Sequence, residues 1–198
     1  MSMNAHQRKL FVRKWTRTLH IYLSMLGLLV LVFFAATGFM LNHEEWFGFA
    51  EPHVEEKQGV IPAAMLEQPD KLAIVELLRK DYGATGALDA FEIESDQLSV
   101  IFKSPGRRTQ ATITRPDGQA EVSIETHGFA GRLVELHRGV DAGPAWRLII
   151  DAAAILFLII GSTGLTLWMF VPKWRPLGLV AVGASLAICA TVYFTLVP

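Results

Sequence analysis

The chain of 198 residues is 52% hydrophobic and only 19% charged, which is too apolar for an ordinary soluble domain. Its formal net charge is −1, and no basic domain exists to neutralise a phosphate backbone, so nucleic acid is excluded as a partner. Cys189 is the single cysteine, which rules out an internal disulfide and a cysteine metal cluster.

Residues 1–19 are a basic segment carrying Arg8, Lys9, Arg13, Lys14 and Arg17, and residues 21–41 contain no charge. About 20 apolar residues at 1.5 Å rise each cross roughly 30 Å of hydrocarbon, so residues 20–42 are expected to form a first transmembrane helix. The run exceeds the roughly 7–15 residues of a secretory signal core and ends FMLNHEEW, with no small-x-small cleavage site, so it reads as a retained anchor. Residues 148–171 carry Asp151 as their only charge and residues 177–198 carry none. These give a second span over 144–171 and a third over 177–198. The intervening 172–176, PKWRP, is a turn too short for anything but an antiparallel hairpin. The basic residues before the first span and in this turn place both in the cytoplasm, with 43–143 outside. Trp15, Trp46, Trp146, Trp168 and Trp174 all fall at predicted interfaces, where indole prefers to sit.

Between the first two spans, an acidic, aromatic link (HEEWFGFAEPHVEEK) precedes a helix over 70–81. Asp70 is at its N-cap, Leu72, Val75 and Leu78 share one face, and Gly83 lies beyond its end. Alternating residues then predict four strands: Phe91 and Ile93; Leu98, Val100 and Phe102; Ala111 and Ile113; Ala120, Val122 and Ile124. Pro116, Asp117 and Gly118 turn between the last two. A helix covering the apolar face of a four-stranded antiparallel meander is the expected domain. Phe129, Leu133, Leu136 and His137 repeat at helical spacing before Gly139, which predicts a short helix on the membrane surface. Gly143 and Pro144 start the second span.

These elements, with RTLHIYLSMLG and ATGFMLNH in the first span and ELHRGVDAG leading to DAAAILFLIIGSTGLTLW in the second, resemble the PepSY-associated transmembrane helix family. The central segment resembles a PepSY domain, so the expected fold class is three membrane helices plus a small α+β periplasmic domain. Larger relatives implied by the resemblance include siderophore and iron reductases of the bacterial inner membrane, which carry b-type haems between helices. This chain lacks their fourth span and its histidines, so a complete two-haem wire in one subunit is not expected. Within the chain, FAATGFML and IGSTGLTL echo one another in helices of opposite direction, an inverted repeat in which Thr37 and Gly38 correspond to Thr163 and Gly164. Small residues that let helices approach closely are the simpler account of the echo.

His6, His53 and His127 lie in polar segments, whereas His20, His43 and His137 lie at membrane boundaries. The resemblance implies haem b, whose iron takes two axial ligands, commonly imidazoles, with small residues such as Gly38 and Gly164 where a ring meets a helix. His43 and His137 are expected at one membrane level and could hold an outer haem. His20 lies roughly 34 Å from His43 along a helix and cannot share its iron; Met169 or the His20 of a second copy is its candidate partner. Arg17 and Arg138, each beside a candidate ligand, could neutralise haem propionates. Boundary histidines also serve as amphipathic anchors, the competing account. Asp151 is either ion-paired with Arg147 or a proton or propionate relay.

The expected activity is a subunit of a membrane oxidoreductase that delivers electrons to a periplasmic acceptor, a flavoprotein or ferric chelate. No nucleotide-binding glycine motif follows a strand, so the electron donor is a separate molecule. The alternative is a membrane-anchored binding or regulatory module engaging a peptidase or envelope partner. A small transporter component is a third reading, suggested by the inverted repeat and Asp151. Hydrolase chemistry finds no support in residue spacing.

Overall fold

The computed structural model describes residues 4–67 and 69–198. It begins with α1 (Ala5–Leu41) and a 3-10 turn at Glu44–Phe47. A small α+β region follows: β1 (His53–Val60), α2 (Ala64–Glu67), α3 (Lys71–Asp81), β2 (Ala87–Ile93), β3 (Gln97–Ser104), β4 (Arg107–Thr114), β5 (Gln119–Thr126) and α4 (Gly128–Arg138). Two long helices complete the chain, α5 (Gly143–Met169) and α6 (Arg175–Leu196), joined by a 3-10 turn at Pro172–Trp174. By length and composition α1, α5 and α6 can each cross a membrane, with mean hydropathies of 2.3, 2.2 and 2.1 over their most apolar stretches. Most of their apolar side chains are exposed, as befits helices solvated by lipid. The helix α1 starts well before the expected span, so the basic N-terminal segment is continuous with it.

Two compact units make up the chain, residues up to 31 with 151–198, and residues 32–150. In the second unit the sheet is antiparallel in the order β1-β5-β4-β3-β2. It has five strands where the alternation pattern predicted four. The extra strand, β1, lies at the edge with nearly every side chain exposed, so it carries no apolar alternation. Its register comes from backbone pairing with β5, from His53 opposite Thr126 to Val60 opposite Gln119. Gly59 makes this strand's docking possible, because a Cβ there would collide with the hydroxyl of Tyr82. Lys57 Nζ secures the same corner by donating to the Tyr82 carbonyl at 3.2 Å.

The sheet's inner face is made by Leu98, Val100, Phe102, Ala111, Ile113, Ala120, Val122 and Ile124, none more than 3% exposed. Burying each of the larger ones contributes about 1.5–3 kcal/mol. The helix α3 covers this face with Ile74, Val75 and Leu78. Asp70 caps it, accepting from the Leu72 and Ala73 N–H groups at 2.9 and 3.4 Å. Leu72, expected on the buried face, is 70% exposed, and Ile74 takes its place. A strict three-residue step drifts around a helix of 3.6 residues per turn, so Leu72 rotates out of the stripe. The turn before β5 forms as expected, with Gly118 at φ +71° and Asp117 Oδ1 accepting from Gln119 N–H at 3.1 Å.

Helix α4 buries Gly131 and Val134, whereas Phe129, on the apolar face expected at the membrane surface, is 76% exposed. The selection is made by close approach, since Gly131 lies against His127 and Phe49, where a larger residue would not fit. The Glu135 carboxylate accepts the N–H of Gly106 in the turn between β3 and β4. That bond ties the helix to the sheet. Gly139, at φ +69°, ends α4.

Candidate functional site

In the second unit, His137 lies in the last turn of α4 and Thr37 near the end of α1. His137 Nδ1 is 2.8 Å from Thr37 Oγ1. Thr37 is only 2% exposed, and its hydroxyl donates to the Phe33 carbonyl one turn back at 2.6 Å. Gly38, the next residue, leaves room for the ring: a Cβ there would stand 3.4 Å from His137 Cε1. Aromatic edges close the other side. Phe34 meets the imidazole at 5.1 Å, Phe33 meets Phe34 at 5.2 Å, and Trp146 meets Phe33 at 6.2 Å. Trp146 Nε1 donates to the Leu136 carbonyl at 2.8 Å, fixing the backbone immediately before His137.

The first unit contains the same arrangement built from different helices. His20 Nδ1 of α1 is 2.9 Å from Thr163 Oγ1 of α5. The Thr163 hydroxyl donates to the carbonyls of Ile159 and Ile160 at 2.8 and 2.9 Å. Gly164 follows it, and a Cβ there would stand 3.2 Å from His20 Cε1. Both imidazoles are half-buried. A shallow groove of about 310 Å³ runs beside Thr163, lined by Thr16, Ile155, Leu158, Ile159, Ser162 and Thr166. Each unit thus seats one imidazole on a Thr-Gly step of a membrane helix.

A family model described as PepSY_TM-like matches residues 14–198, a region that includes both couples. The chain belongs to this family. No curated protein and no solved structure matches it.

The other candidate residues of this PepSY_TM-like protein are placed as follows. His43 stacks on Trp46 at 4.1 Å with ring planes 13° apart, and Phe39 lies 4.5 Å away. Among the described residues no hydrogen bond or ring contact joins His43 to His137. Met169 is 60% exposed, and its carbonyl accepts from Arg175 Nε at 2.8 Å. Arg17 and Arg138 are exposed and form no ion pair among the described residues. Asp151 is exposed on α5. Sequence reasoning did not find the role of Thr37 and Thr163 as imidazole partners. The available signal was the Thr-Gly echo, but the histidines lie 100 and 143 residues away.

Proposed function

We propose that this PepSY_TM-like membrane protein is a haem-b-binding electron-transfer component of the bacterial inner membrane. Its N-terminus would be cytoplasmic and its sheet domain periplasmic, and it would pass electrons to a periplasmic flavoprotein or ferric chelate. The observation that supports this reading is the repeated His-Thr-Gly arrangement. Imidazole is a common axial ligand of haem iron, and a ligating histidine ordinarily has its other ring nitrogen hydrogen-bonded. The donor set of both couples fits that requirement, and each Thr-Gly step sets a glycine against the ring, most closely at Gly164, where a Cβ would crowd it.

In this reading His137 and His43 would hold an outer haem, and His20 with Met169, or with His20 of a second copy, an inner one. Bound haem would supply one-electron carriage through a region where no polar side chain can. The protein's own residues bind and orient. Thr37 and Thr163 hold the imidazoles, Gly38 and Gly164 give them space, and Arg138 and Arg17 present guanidinium groups suited to propionates. Asp151, the one acid in the apolar run of α5, is the residue suited to carry a proton.

The test is a visible spectrum of the full chain in mild detergent, oxidised and then reduced with dithionite. A Soret band and a sharpened α band, weakened in His137→Ala, His43→Ala and His20→Ala and lost when His137 and His20 are replaced together, are expected. A protein that stays colourless after haem supplementation would overturn this reading and leave the sheet domain as an anchored binding module.

A further inference from the structure

A threonine hydroxyl has one proton, and both threonines spend it on their own helix. Thr37 donates to the Phe33 carbonyl at 2.6 Å, and Thr163 donates to the Ile159 and Ile160 carbonyls at 2.8 and 2.9 Å. Such back-bonding to the preceding turn is the ordinary habit of threonine inside a helix. With that proton placed, Oγ1 has only lone pairs left to offer the ring. With the hydroxyl proton on the carbonyl, the imidazole nitrogen at 2.8 Å in one couple and 2.9 Å in the other is the donor. A neutral ring that carries its proton on Nδ1 has a bare Nε2.

We propose that Thr37 and Thr163 are positioning residues that hold His137 and His20 as Nδ1–H tautomers, leaving the Nε2 lone pair of each as the point where a metal is bound. The proposal rests on the electron-transfer reading only for what Nε2 meets; the tautomer itself rests on the short hydroxyl-to-carbonyl contacts within each helix. Gly38 and Gly164 complete the device by facing Cε1, the carbon between the two nitrogens, at 3.4 and 3.2 Å from where a Cβ would stand. The ring is located from one side by a hydroxyl and from another by a missing side chain. The same three-residue logic occurs twice, on α1 for the histidine of α4 and on α5 for the histidine of α1. Two independent occurrences with the same atom, Nδ1, on the hydroxyl argue against accident.

Chains with ¹⁵N-labelled histidine, purified whole in mild detergent without added haem, report the tautomer directly through two-bond ¹H–¹⁵N correlations. Wild type is expected to show Nδ1 protonated and Nε2 bare for His20 and His137. Thr37→Val is expected to abolish the single-tautomer pattern of His137 while leaving that of His20, and Thr163→Val to do the reverse. Thr37→Ser and Thr163→Ser keep the hydroxyl and are expected to restore each pattern, which a purely structural role for the methyl group would not do. Observation of Nε2–H tautomers in wild type, or valine variants indistinguishable from it, would overturn the proposal. Visible spectra of the same variants after haem addition separate the two claims. A colourless protein with Nδ1–H rings defeats the haem reading alone, and a haem-bound protein with unchanged valine variants defeats this one alone.

Discussion

The two histidine–threonine couples use identical chemistry on unequal supports. His137 ends a helix tied to a folded sheet through Glu135 and Gly106, and its ring is backed by a chain of aromatic edges from Phe34 to Trp146. His20 lies within α1 itself, bonded to a threonine of α5, and no aromatic ring packs on it among the described residues. Thr37 is 2% exposed, whereas Thr163 is only half-buried. One couple is therefore held by a domain core and the other by helix contact alone, so damage to the sheet should reach the first and spare the second.

The strongest test of that difference is Phe102→Ala. Phe102 is fully buried on the inner face of β3, and its truncation is expected to cost about 3–5 kcal/mol. Hydrogen exchange of β3 to β5 should accelerate and the His137 resonances should broaden, while those of His20 stay as in wild type; equal broadening of both would erase the distinction. Glu135→Ala removes one charged hydrogen bond, worth about 1.5–3 kcal/mol. It is expected to loosen α4, read as faster exchange of its amides, with β3 to β5 nearly unaffected. Asp70→Ala deletes the cap of α3 at about 1 kcal/mol, and exchange in α3 should rise without any change at either histidine. The smallest effect belongs to Gly38→Ala and Gly164→Ala, where helix propensity gains up to about 1 kcal/mol against the new contact. The Cβ would be closer in the second case, 3.2 against 3.4 Å. The His20 ring shifts should therefore move more than those of His137.

The spans and the strands β3 to β5 were legible because each is a simple apolar pattern, long runs with at most one charge in the first case and alternation in the second. β1 was not, because a strand whose side chains mostly face water is held by its backbone, and backbone pairing leaves no mark on residue type. The buried face of α3 was misread at Leu72, where the orientation of a short helix is decided by what it packs on. Boundary position singled out His20 and His137, and the inverted echo singled out Thr37, Gly38, Thr163 and Gly164. What joined the two sets was tertiary: a hydroxyl can serve any imidazole that the fold brings to it, so local sequence cannot name the pair. His43 shows the contrast, since its partner Trp46 is three residues away.

The turn at Pro172–Trp174 fixes how α5 gives way to α6. Trp168 Nε1 donates to the Trp174 carbonyl at 3.0 Å, and Arg175 Nε to the Met169 carbonyl at 2.8 Å, so a carbonyl that the end of α5 would leave bare is satisfied within the connector. Each bond reaches from one helix end to the other across a span of six residues. The junction therefore carries its own staples, and replacing Trp168 or Arg175 would loosen the corner without shortening either helix.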